Sequence, residues 1–139
     1  MALAISLEAE GARIYSDLAE KIRDRFPTLA SMLESMRAEE SSHHDRLYAF
    51  YVNRFGSHIP YLRRQDVRGF VRRRPLWLQS TIGPRQILRF VMAMEAETRR
   101  YYQDAANHAD SEDVRMLLND LAGAEEDHSG RESWNCFVN

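Results

Sequence analysis

The run Glu40-Ser41-Ser42-His43 sets a carboxylate and an imidazole three residues apart, and Glu125-Glu126-Asp127-His128 repeats the arrangement. On a helix, positions i and i+3 share one face, about 5–6 Å apart at Cβ. Both side chains of such a pair can reach one metal ion. With 12 Glu and 5 His in 139 residues, chance alone supplies about 0.4 Glu-x-x-His pairs. Each pair here also follows an earlier glutamate at a similar distance: Glu8 lies 32 residues before Glu40, and Glu95 lies 30 before Glu125. Each earlier glutamate precedes a tyrosine by seven residues, Tyr15 and Tyr102, two helical turns along the same face.

Four glutamates gathered in a core repel one another, and each buried charge is costly unless it is compensated. Two divalent cations would neutralise them. Carboxylate and imidazole ligands suit iron or manganese. The single cysteine, Cys136, excludes a CxxC metal knuckle and an internal disulfide framework.

Long helices are needed to present these residues, and the chain is built to form them. At 44% hydrophobic and 29% charged, it has the profile of a soluble globular domain with one core. No apolar run approaches the roughly 18 residues of a membrane span, and Glu8 and Glu10 break any signal-peptide h-region. Apolar residues at helical spacing predict helices over about 2–25, 27–55, 84–109 and 111–134. Pro27 and Pro84 suit first turns, Gly56 a stop, and Asp110 or Ser111 an N-cap. The sum is an all-α four-helix bundle, residues 1–139 as a single domain, with a long link at 56–83. Within that link, Gln65 to Arg73 could form a short helix.

The two halves repeat. At an offset of 87, residues 8–19 and 95–106 share seven identities in twelve positions: Glu8, Ala9, Glu10, Arg13, Tyr15, Asp17 and Ala19 recur. At an offset of 85, Leu33, Glu40 and His43 recur as Leu118, Glu125 and His128. The matches concentrate on polar residues, where core packing alone would not put them.

With one Glu on each of two helices and one Glu-x-x-His on each of the other two, the chain resembles the ferritin-like and rubrerythrin superfamily. Leu7-Glu8-Ala9-Glu10 with Tyr15, and Ala38-Glu39-Glu40 with His43, resemble its first two helices. Met94-Glu95 with Tyr102, and Glu125 with His128, resemble the third and fourth. Within the superfamily the chain is most similar to the rubrerythrin-like cytosolic domain of membrane-bound ferritin A, a family associated with iron export. The resemblance implies two iron ions, with manganese as the alternative. Glu40 and Glu125 would bridge them, Glu8 and Glu95 would be terminal carboxylates, and His43 and His128 terminal nitrogens. Two features depart from the family. One cysteine cannot make a rubredoxin site, and Thr98 stands three residues after Glu95 where rubrerythrins carry a further glutamate.

Other residues are open to more than one reading. Tyr15 and Tyr102 are either core aromatics or hydrogen-bond partners of ligand carboxylates. Glu97, about 200° around an ideal helix from Glu95, is expected to be solvated or at an interface, as is Glu10, with support of the ligands as Glu97's alternative role. Glu39, Glu126 and Asp127 read as a solvated face that could guide ions. His44, His58 and His108 lack a partner at ligand spacing. Gly11 and Gly123 beside the ligand turns mark either close backbone approach or tolerated weak helix positions. Residues 54–89 hold nine arginines against one acid, Asp66. That segment is expected to be a solvated or subunit-contact loop, with an anionic membrane surface as the second reading. No nucleic-acid motif accompanies it, and the net charge is −2.

The function these readings favour is binding of Fe(II) and its oxidation by oxygen or peroxide. It would serve iron export or detoxification as the soluble, cytoplasmic part of a membrane-bound ferritin. A homodimer, with helices exchanged through the long link, is the expected assembly. A quinone-hydroxylase type of di-iron monooxygenase and a non-catalytic, metal-responsive interaction domain are the alternatives.

Overall fold

A computed structural model describes residues 1–58 and 83–129, with the side chains of 126–129 excepted. Four helices run in the order α1 (Ala2–Ile22), α2 (Pro27–Phe55), α3 (Pro84–Asn107) and α4 (Glu112–Ser129). No strand occurs among the described residues. The chain is all-α, with the helix order of a ferritin-like bundle. It forms two compact units, one containing α1 and α2 and the other α3 and α4. Most of the 56–83 link, its expected short helix, and the expected run of the fourth helix to 134 lie outside the described residues.

In the first unit the apolar stripe of α1 is buried as spaced: Leu3, Leu7, Ile14, Leu18 and Ile22 are all core residues. Leu29, Leu33, Met36 and Leu47 do the same for α2, while Met32 and Phe50 stay half-buried. The first helix stops three residues short of the expected Arg25. Residues 23–25 form a turn instead, with the N–H groups of Arg25 and Phe26 donating to Ile22 O at 3.1 and 2.8 Å, and Pro27 bars Phe26 from the helical region. Phe26 accordingly sits at φ −134°, ψ 69° and opens α2 as its N-cap, with Pro27 in the first turn. Gly56 ends α2 at φ +90°, ψ 178°, a conformation open essentially to glycine, and its N–H donates to Val52 O at 3.0 Å.

The second unit is closed at its turn by side chains. Ser111 Oγ accepts the Val114 N–H at 3.4 Å, so Ser111 is the cap of α4. Arg115 reaches back to the end of α3, donating from Nη2 to Ala109 O at 3.0 Å and from Nε to Ala106 O at 3.4 Å. A guanidinium at carbonyls left over by a helix end satisfies acceptors that have no helical partner. Ile87, Leu88, Val91 and Met94 of α3 and Leu117, Leu118 and Leu121 of α4 supply this unit's buried apolar residues.

Candidate metal centre

Glu8 sits one turn into α1, between the core residues Leu7 and Ile14, and its side chain is fully buried. A carboxylate there is carried inward by the apolar stripe of its own helix. Glu40 lies on α2 midway between Met36 and Leu47 and is 4% exposed. His43 follows one turn later, with its side chain 15% exposed. Its Nδ1 lies 3.6 Å from Glu8 Oε2. Ligand atoms of Glu8, Glu40 and His43 all lie within 4.8 Å of one another. The first unit therefore gathers two carboxylates and an imidazole from two helices, as a candidate metal-binding group.

This donor set fits a hard or borderline divalent cation. Two acidic side chains and an imidazole, largely withdrawn from water, are stabilised by a bound cation and disfavoured without one. The group also has room on one side. A Cβ built on Gly11 would stand 3.0 Å from Glu40 Oε2, so the carboxylate rests against the bare α1 backbone. Gly123 shows no such contact: among the described residues nothing lies within 4 Å of its ideal Cβ. Close approach accounts for Gly11 and not for Gly123.

In the second unit, Glu95 on α3 is 2% exposed and Glu125 on α4 is 1% exposed. The side chain of His128 lies outside the described residues, as do those of Glu126 and Asp127. Tyr15 and Tyr102 are both fully buried. Tyr102 packs against Tyr101, with ring centroids 5.7 Å apart. Burial raises the Tyr101 phenol above its ordinary range, so it stays protonated at neutral pH.

Glu97 departs from the expected solvated position: it is 3% exposed, as buried as Glu95, while Glu10 is half-buried. Thr98 is buried too. The side of α3 away from Glu95 does not end in solvent, because α3 is buried on more than one side. A signal for this was present, since Glu97 falls three residues after Met94 and four before Tyr101, on their face. His44 pairs with Asp45 at 3.2 Å and stacks on Tyr48, and His108 Nδ1 lies 2.8 Å from Asp104 O. Neither joins the carboxylate group.

Among the described residues, no helix is long and apolar enough to cross a membrane. No curated protein and no solved structure matches the chain. Residues 1–131 match the rubrerythrin family, so nearly the whole chain, both Glu-x-x-His pairs included, belongs to that family.

Proposed function

We propose that the protein is a non-haem di-iron binding domain that takes up Fe(II) and oxidises it, with manganese as the alternative metal. The observation that carries this is the group formed by the buried Glu8 and Glu40 with the half-buried His43, whose ligand atoms lie within 4.8 Å of one another. Membership of the rubrerythrin family supports it, as does the recurrence of the same residue types as Glu95, Glu125 and His128. Those three supply the remaining ligands in this reading. These six residues would hold two Fe(II) ions, which would supply one electron each to an oxidant of the oxygen or peroxide class.

The chain's own residues prepare for that chemistry. Glu8 and Glu40 offer carboxylate oxygens fixed by helices whose apolar stripes are already packed, so little ordering remains to be done on binding. Both carboxylates are buried away from bulk water, which strengthens their attraction for a cation. His43, being partly exposed, stands on the solvent side of the group. The proposed physiological role is iron export or iron and peroxide detoxification, as the soluble part of a membrane-bound ferritin.

Single-turnover oxygen consumption tests the reading. Anaerobically loaded protein should consume oxygen in proportion to bound Fe(II), without reductant or quinone. Consumption only with quinone and reductant would mark a hydroxylase. Metal binding without consumption would mark a non-catalytic domain.

A further inference from the structure

Gly11 lies in the middle of α1, where glycine is a poor choice. It weakens a helix interior by about 1 kcal/mol relative to alanine. Its backbone does not require it, since Gly56 is the only described residue with positive φ. Nor is it exposed, for it is buried three residues after Glu8 on the same face. What distinguishes it is its neighbour: a Cβ there would stand 3.0 Å from Glu40 Oε2, 3.6 Å from Cδ and 3.7 Å from Cγ. One carboxylate oxygen and the two carbons behind it thus lie against the position a side chain would occupy. In the repeat, the position equivalent to Gly11 is Thr98, so the second half of the chain does not keep the glycine.

We propose that Gly11 is a positioning residue for the metal group: it leaves open the seat in which the Glu40 carboxylate rests against α1, one turn from Glu8. This rests on the proposed metal-binding role of Glu40. A methyl at position 11 must push the carboxylate back by a few tenths of an ångström or more. The helix backbone itself accepts alanine. The substitution should therefore act in opposite directions on the two properties, strengthening the helix and weakening the metal group.

The test compares wild type, Gly11→Ala and Gly123→Ala in thermal melting without metal and in calorimetric titration with anaerobic Fe(II). Gly123 is the control, being a helix glycine with nothing among the described residues within 4 Å of its ideal Cβ. Both variants should melt at or above the wild-type temperature. Gly11→Ala should bind Fe(II) about tenfold more weakly, as expected for overpacking at a crowded contact, and Gly123→Ala as wild type. In a Glu40→Asp background, whose shorter side chain withdraws from α1, Gly11→Ala should cause at most a twofold further loss. Wild-type affinity in Gly11→Ala, with Glu40→Ala losing binding, would overturn the role of Gly11 while leaving the metal reading intact. Weaker binding accompanied by a lower metal-free melting temperature would also overturn it, by making Gly11 a packing residue. Absence of Fe(II) binding by wild type would overturn the metal reading itself.

Discussion

Two adjacent histidines on α2 divide the chemistry from the surface. His43 Nδ1 lies 3.6 Å from the fully buried Glu8, whereas His44 pairs with the exposed Asp45. An exposed pair of this kind contributes little to stability, and removing His44 leaves the carboxylate group untouched. His43→Ala is therefore expected to weaken Fe(II) binding by tenfold or more, a loss of about 1.4 kcal/mol, and His44→Ala to leave it unchanged. Parallel titrations of the two variants check this, and equal effects would remove His43 from the ligand set. At this scale the sequence was legible where types recurred at helical spacing. Glu8, Glu40 and His43 were legible because Glu8 on α1 and the Glu40–His43 pair on α2 each recur in the second half of the chain at nearly the same offset. Glu97 could not, because a helical wheel gives directions around one helix and not which of those directions end in solvent. The close approach of Glu40 to Gly11 was one of two open readings, since only the packing of α1 on α2 separates a needed glycine from a tolerated one.

The helices themselves follow from apolar spacing and from a few punctuating residues. Pro27, Gly56, Pro84 and Ser111 stand at element ends as their chemistry requires. Boundaries without such a residue are displaced: α1 ends at Ile22 rather than 25, and α3 at Asn107 rather than 109. Helix α2 runs over 27–55 as its spacing predicts, and its polar middle, residues 37–46, interrupts the apolar stripe. Its core contacts should then depend on few residues. Leu33 is fully buried, and Leu33→Ala is expected to destabilise the protein by about 2–5 kcal/mol, the usual range for such a cavity. Chemical denaturation of the metal-free protein measures it, and a change below 1 kcal/mol, within the roughly ±0.5 kcal/mol of surface substitutions, would contradict the packing. In the other unit, Arg115→Ala removes two donors from the end of α3. Stability should fall by about 1 kcal/mol, and Arg115→Lys should recover little of it, since one ammonium cannot present the same fork.

At the scale of the whole molecule, a cation set among buried carboxylates links metal binding to folding. The folded chain gathers Glu8, Glu40 and His43, and the unfolded chain does not. Metal should therefore stabilise the native state by about 2.7 kcal/mol at one hundred times Kd. Thermal melting with and without anaerobic Fe(II) reads the gain, which should vanish in Glu8→Ala, Glu40→Ala and His43→Ala combined. A gain that survives the triple substitution would place the ion elsewhere.

The most direct test counts ions. Anaerobic calorimetric titration of the intact protein with Fe(II) should saturate at about two ions per chain, the content of a paired carboxylate site. Glu40→Ala and Glu125→Ala should each lose the paired stoichiometry. No saturable binding by wild type, or two ions retained after either substitution, would contradict the account.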